Sequence, residues 1–375
     1  MDEILGAAQK VSTPSARIAR AASITIRWLL LAALAALCVY ATWRLVREHQ
    51  FAVDIEIPLR AAVRWLQGGK PYLPEAFAAS GSDLPFLYPP FVLPVVAPLL
   101  ALPRDVVHVA WVLVCVVAAV VACERLGVPR IAWPLALIWP PFAEGILGGN
   151  VQIILFAAFC VLFWPKRPVR DDRQARSALV AGVLATSIGA LKASQFQPWL
   201  YVLRERPRAA LLGAAAADVI VVATLPFVGT HNWQDWVGQV GRAGDTSWLY
   251  VGSPLSLMVG RPIGLLITVL SAVLAFVVPR RHAGEWVGIL TIIGAPSLHI
   301  FGMLFLLPAM LLVRREIGLV AALLIATYYN DAIWIAIALV TGAMLAARVW
   351  PRLLDNPSAA PGNRGAQAPS AAATA

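Results

Sequence analysis

Two carboxylates, Asp54 and Glu56, stand just beyond an apolar run from Ile24 to Trp43, with Arg60 and Arg64 following at helical intervals. A carboxylate so placed can accept a proton, and a guanidinium can hold a phosphate or a lipid headgroup. Other polar residues recur at the ends of apolar runs. Tyr88-Pro89-Pro90 opens a proline-rich stretch, Gly148-Gly149-Asn150-Val151-Gln152 joins two runs, and Lys192 ends another. His299 closes Ala-Pro-Ser-Leu-His, and Asn330-Asp331 tips the last hairpin. Lysine serves phosphate as a point charge, imidazole bonds phosphate or hydroxyl oxygens, and carboxamides bond sugar hydroxyls. The segment Gly229–Arg261 adds His231, Asp235, Arg242, Asp245 and the aromatic residues Trp233, Trp236, Trp248 and Tyr250. These rings suit stacking on a sugar or lipid, or an interfacial aromatic belt. No Asp-x-Asp pair and no histidine cluster suggests a metal ligand set, so neither a metal nor another cofactor is expected.

The elements that carry these residues are apolar. Of 375 residues, 60% are apolar and 13% charged, with mean hydropathy +0.75. A soluble chain would carry about 25% charged residues, so the outer surface here is expected to meet lipid. Cys38, Cys115, Cys123 and Cys160 lie in apolar runs without Cys-x-x-Cys spacing and read as small buried hydrophobes. The formal charge of +10 comes from short basic clusters between apolar runs. That is the orienting signal of a membrane protein rather than a nucleic-acid stripe.

Those clusters fix an expected topology. The N-terminal segment 1–23, Glu124–Arg130, Lys166–Arg176, Arg204–Arg208, Arg280–Arg281, Arg314–Arg315 and the tail 351–375 hold most of the Lys and Arg and are assigned to the cytoplasm. The tail is rich in Ala, Pro, Gly and Ser and is expected to be disordered. No cleavable signal is evident, and the first run is expected to remain as an anchor. Prolines at 89, 90, 94, 98 and 103 argue that Tyr88–Pro103 is re-entrant or interfacial and does not cross. The spans are then 24–43 and 106–123, followed by 131–147, 151–164, 178–191, 195–204, 209–228, 262–279, 286–295, 300–313, 317–329 and 332–349. The result is an all-α polytopic bundle of about twelve helices with membrane domain 24–350. Every polar feature of the first paragraph falls on the extracytoplasmic side. Polar groups at membrane depth are costly and functional by default, so a site at that face is expected.

Ile57, Ala61 or Ala62, Trp65 and Leu66 recur at helical spacing, with Arg60, Arg64 and Gln67 opposite. This predicts an amphipathic helix lying on the membrane after Asp54 and ended by Gly68-Gly69.

The string Asp54-x-Glu-x-x-x-Arg-Ala-Ala-x-x-Trp-Leu-x-Gly-Gly-x-Pro-Tyr72, with Phe86-x-Tyr-Pro-Pro-Phe and Ala97-Pro-Leu-x-Ala-Leu-Pro103, resembles glycosyltransferase family 87. Gly149-Asn-x-Gln152, Leu191-Lys192 with Pro198, and Ser297-x-His299 ahead of Leu-Pro308-Ala follow in the family's order. Gly-Asn stands where Gly-Gln is commoner, and Ala-Ser follows Lys192 where a proline comes sooner in the family. The resemblance implies a GT-C fold and an enzyme that moves a sugar from a polyprenyl phosphate to an acceptor outside the cytoplasm. Mannosyl and arabinofuranosyl donors are both implied. It also places the catalytic Asp in the first loop, here Asp54.

Such a transfer needs a base for the acceptor hydroxyl and positive or N–H groups for the departing phosphate. One displacement inverts the anomeric centre. Asp54 is the expected base, with Glu56 as the exchangeable neighbour or an acceptor contact. Lys192, His299, Arg60, Arg64 and Tyr88 are candidates for donor phosphate or sugar, and Asn150 and Gln152 for sugar or acceptor hydroxyls. The plainer reading of each stays open: a snorkelling Lys192, a structural His299, headgroup-binding arginines, an interfacial Tyr88 and a helix-capping Asn150. The expected partners are a polyprenyl-phosphate sugar, a lipid or glycan acceptor and membrane lipids, without nucleic acid. A flippase for lipid-linked glycans would need charges deep within its spans, and no internal repeat supports it. A non-catalytic scaffold would not need Asp54.

Overall fold

The computed structural model describes residues 14–48, 51–73, 85–165, 174–192, 195–243, 259–295, 298–350 and 353–354. Among these the chain is helical, and its only β-type contact is an isolated bridge between Val313 and Leu354. The opening helix α1 (Pro14–Arg47) leads into α2 (Val53–Leu66). Next comes α3 (Val92–Val96), which tightens into a 3₁₀ turn over Ala97–Ala101. These ten residues rise only about 17 Å, short of a bilayer core of about 30 Å. Helix α4 (Arg104–Arg125) is 22 residues long and strongly apolar.

The expected span 131–147 is two helices, α5 (Trp133–Ile138) and α6 (Pro140–Leu147). Pro140 and Pro141 supply no N–H to the preceding turn, so the helix breaks at Trp139. Helices α7 (Val151–Phe163), α8 (Gln174–Leu191) and α9 (Gln197–Glu205) follow. Helix α9 has nine residues, about 13 Å of rise, so the run 195–204 does not cross by itself. Helix α10 (Pro207–Val228) is long and apolar. The segment Gly229–Arg261, expected to be a loop, carries α11 (Thr230–Ala243).

The last third contains α12 (Arg261–Val277), α13 (Ala283–Ile293), a 3₁₀ stretch Ile300–Leu306, α14 (Leu307–Leu312), α15 (Arg315–Ala326) and α16 (Asn330–Ala346). Among the described residues, three helices have the length and apolarity to cross a membrane: Ala21–Arg47, Arg104–Arg125 and Pro207–Val228. Their outward faces carry exposed Val39, Leu113, Val117, Val219 and Phe227. Such continuous apolar surface is compatible with lipid rather than water. Seven shorter apolar helices accompany them among the described residues.

The core forms where α6, α7, α13 and the 3₁₀ stretch meet, around Phe142, Phe156, Phe159 and Phe305. Gly288 permits that approach, since a Cβ there would lie 2.2 Å from the Phe305 carbonyl oxygen. The four cysteines are buried and unpaired. Residues in or beside the segments assigned to the cytoplasm come together in pairs. Arg27 meets Glu316 at 2.6 Å, Arg280 meets Glu205 at 2.6 Å, and the Arg314 amide bonds the Leu353 carbonyl at 2.8 Å. Residues 1–13, 166–173 and 355–375 lie outside the described residues.

Candidate active site

Asp54 sits in the first turn of α2, and that turn is sewn to the α6–α7 junction. Ala52, in the left-handed region at φ 57°, turns the chain into α2. Its N–H bonds the Leu147 carbonyl at 2.7 Å, and the Asp54 N–H bonds the Gly148 carbonyl at 2.8 Å. Pro58 has no N–H for the Asp54 carbonyl, which loosens the α2 ladder beside the site. The buried side of α2 is Ile55, Pro58, Leu59, Ala61 and Ala62, while Leu66 is exposed. Of the expected face, Ala61 and Ala62 are buried, Ile57 and Trp65 pack beside them and Leu66 is not covered. The 3₁₀ turn after α3 together with α4 widens the buried side to Ile55 and Leu59, where a bare membrane surface was expected.

Asn150 links this turn to α7. Its Oδ1 accepts the Gln152 N–H at 2.8 Å, satisfying an otherwise orphaned donor of α7. Its Nδ2 donates to Asp54 Oδ2 at 3.0 Å. Trp111 Nε1 braces the same junction by donating to the Gly149 carbonyl at 2.7 Å. Gly148 leaves no room for a side chain, since a Cβ would lie 2.9 Å from Asp54 Oδ2. Burial pushes the Asp54 carboxyl above the usual carboxylate range, against the lowering effects of the Asn150 bond and the nearby Lys192 charge.

Two cavities lie here, on either side of Leu191 and Lys192. The larger, about 370 Å³, is mostly apolar and is lined by Asp54, Tyr88, Phe91, Val95, Trp111 and Leu191 among others. Small residues of α8 and α10, including Ala190, Gly213 and Ala217, make its room. The smaller, about 40 Å³, is lined by Gln152, Lys192, Gln195, Thr291, His299 and Phe301 among others. It has space for about three water-sized groups, enough for phosphate oxygens and too little for a hexose ring. Leu191 faces the first cavity and Lys192 the second. The His299 ring stacks on Phe301 with centroids 4.8 Å apart, and Lys192 Nζ lies 4.9 Å from the same ring's centroid. Burial lowers Lys192 to about 8, with Asp54 pulling the other way. Burial, and secondarily the Lys192 charge, lowers His299 to about 3, so its imidazole is neutral at physiological pH.

Of the residues expected from sequence, Asp54, Tyr88, Asn150, Gln152, Lys192 and His299 are thus drawn to one region. Tyr88 lines the larger cavity, and its carbonyl accepts the Tyr72 hydroxyl at 2.8 Å. Glu56 lies elsewhere, against His108 at 3.0 Å, Arg104 at 3.4 Å and Arg60 at 3.5 Å. Glu56, Arg60 and Arg64 are absent from the lining of both cavities. Helix α11 clamps the tyrosine segment instead of opening to solvent. Trp236 Nε1 donates to the Leu87 carbonyl at 2.9 Å, and Gln239 Nε2 to the Leu73 carbonyl at 3.0 Å. Asp245, Trp248, Tyr250 and Ser297 lie outside the described residues. Sequence reasoning missed Gln195 and Trp111. Gln195, a polar residue three past Lys192, was detectable; Trp111 lies inside a long apolar run and gave no signal.

The sequence model of glycosyltransferase family 87 matches residues 86–295, a segment that carries Tyr88, Asn150, Gln152 and Lys192 and stops short of Asp54 and His299. The polyprenol-phosphate-mannose-dependent alpha-(1-2)-phosphatidylinositol mannoside mannosyltransferase of Mycobacterium tuberculosis is 24% identical over 238 residues. The alignment covers 56% of this chain and 54% of that protein, so the chain spans about half the length of the relative. No solved structure gives a significant match.

Proposed function

Because the chain belongs to glycosyltransferase family 87, we propose that it moves a sugar, mannose first among candidates, from a polyprenyl phosphate to a lipid or glycan acceptor at the extracytoplasmic face, with inversion. The observation that carries this reading is the placement of Asp54. It stands at the end of an apolar cavity, tethered by Asn150 and within electrostatic reach of Lys192.

Asp54 acts as general base. One carboxylate oxygen is held by Asn150, which sets the direction of the other toward the acceptor hydroxyl. As the acceptor hydroxyl oxygen forms its bond to the anomeric carbon, the hydroxyl proton passes to Asp54 and the anomeric carbon–phosphate oxygen bond breaks. The electron pair leaves with the polyprenyl monophosphate, which is stable as an anion and needs no protein acid. Lys192 meets the growing charge, and neutral His299 hydrogen-bonds a phosphate oxygen without adding a second cation. The larger cavity takes part of the isoprenoid chain, which suits its apolar lining. Glu56, held by Arg60, Arg104 and His108, acts as a structural anchor of α2.

Membranes containing the protein, supplied with labelled polyprenyl-phosphate mannose and polyprenyl-phosphate arabinose in parallel, test the reading. Transfer of label from mannose supports it, and transfer from arabinose alone changes the sugar but keeps the reaction. Movement of intact donor across the membrane without transfer would replace the enzyme by a flippase.

A further inference from the structure

Asp54 and Lys192 come from distant parts of the chain, yet an unbroken series of hydrogen bonds joins them. Asn150 Nδ2 donates to Asp54 Oδ2 at 3.0 Å, and Asn150 Oδ1 accepts from the Gln152 N–H at 2.8 Å. The Gln152 side chain then pairs with that of Gln195 in both directions. Gln152 Nε2 donates to Gln195 Oε1 at 3.1 Å, and Gln195 Nε2 donates to Gln152 Oε1 at 2.9 Å. Finally the Gln195 N–H donates to the Lys192 carbonyl at 2.8 Å. The rigid spacer in this series is the first turn of α7, with Asn150 at its cap and Gln152 two residues on.

We propose that the buried Gln152–Gln195 amide pair is a positioning device that fixes Lys192 relative to Asp54, with Gln195 a positioning residue for the transfer reaction. The inference rests on the roles given above to Asp54 and Lys192. Two features separate it from ordinary packing. Gln152 is fully buried and Gln195 is 7% exposed, so the pair is shielded from bulk solvent and each amide has the other as its partner. A pair that donates and accepts in both directions also has one register, which an apolar contact would not impose. Stability does not require such a pair, because two apolar side chains of similar shape can replace a buried hydrogen-bonded pair at almost no cost. Its gain is then geometric. Lys192 follows the last turn of α8, where its N–H bonds the Ile188 carbonyl at 3.1 Å. The Gln195 bond to its carbonyl is the second tie, and it sets where the ammonium stands relative to the developing phosphate charge.

The test compares Gln195→Met, Gln152→Met and the double variant for donor turnover per folded molecule, with Asp54→Asn in the same membranes. Positioning predicts a kcat loss of roughly 10²-fold in each single variant, with little change in the donor KM. The double variant should be no worse than the singles, since all three break one device. It also keeps the test decisive if a single variant, left with one unpaired buried amide, fails to fold. Wild-type kcat per folded molecule in the double variant overturns the proposal. So does a donor KM raised in proportion to the lost kcat/KM, which would make the amides direct donor contacts. If Asp54→Asn is inactive while the double variant turns over normally, only the positioning device falls. If Asp54→Asn itself turns over normally, the reading of the site falls with it.

Discussion

Gly148→Ala should separate folding from activity. Gly148 lies at φ −69° and ψ −16°, a conformation alanine adopts without strain. Restricting the unfolded chain would by itself stabilise the fold by about 0.4–1 kcal/mol, offset by the new methyl lying 2.9 Å from the Glu144 carbonyl oxygen. The Glu144 oxygen is backbone and cannot swing aside, so Gly148→Ala should lose about 1 kcal/mol of stability, an overpacking cost that leaves it folded. The methyl would also lie 2.9 Å from Asp54 Oδ2, whereas ordinary contact begins near 3.4 Å. The carboxylate must retreat by about 0.5 Å. Along the Asn150 bond, that shift stretches 3.0 Å to about 3.5 Å, where a hydrogen bond has all but gone. A misplaced reacting group costs up to about 10²-fold in rate. Purified Gly148→Ala should thus melt a few degrees below the wild type and turn over donor about 10²-fold more slowly. Gly149→Ala is the contrast: at φ +70°, with Trp111 Cδ1 2.9 Å from the new Cβ, left-handed backbone strain adds to the contact and it should lose about 2 kcal/mol or more of stability. A folded Gly148→Ala enzyme with full turnover would refute the claim that Asp54 must be held where it is.

Asn150→Asp keeps an oxygen to cap α7 but sets a second carboxylate against Asp54. A like charge favours the protonated form, so the acid limb of the rate profile should move to higher pH, with activity partly regained on raising pH. In the wild type, kcat/KM should fall toward acid as Asp54 gains a proton, at a pH above the ordinary carboxylate range because burial raises it. It should also fall toward alkali as Lys192 loses its proton near pH 8. Lys192→Arg, charged at every accessible pH, should remove the alkaline limb, and an unmoved limb would exclude Lys192. Cysteine placed at Arg104 should label from outside the cell and at Arg170 only after permeabilisation. Outside labelling at position 170 would reverse the topology.

Much of this arrangement was legible in the sequence, for physical reasons. Membrane spans need long apolar runs, so α1, α4 and α10 stood out, and five prolines marked the segment around α3 as broken, which it is, into a five-residue helix and a 3₁₀ turn. Asp54, Asn150 and Lys192 were visible because a polar residue at the end of an apolar run needs a reason to be there. What sequence could not supply was who covers whom. The α2 stripe was read in part: Ala61 and Ala62 are buried as expected, while Ile55 and Leu59 are buried as well because neighbouring helices, rather than lipid alone, cover that side. Helix α11 was missed because its tryptophans read as an interfacial belt, whereas Trp236 bonds the chain before Tyr88. Glu56 and Asp54 were separable only by their partners, His108 and Arg104 on one side and Asn150 on the other. The Gln152–Gln195 pair depends on two side chains 43 positions apart, which no local pattern reveals.

The central claim is that Asp54 accepts the acceptor's proton, and Asp54→Asn tests it most directly. The amide keeps the shape and hydrogen-bonding capacity of the carboxyl but takes no proton at neutral pH. With labelled polyprenyl-phosphate mannose, the variant should fold, bind donor and lose about 10²–10⁴-fold in transfer rate, while Glu56→Gln retains most activity. Near-normal turnover by Asp54→Asn with an inactive Glu56→Gln would move the base two residues along the chain, and normal turnover by both would contradict the first-loop mechanism.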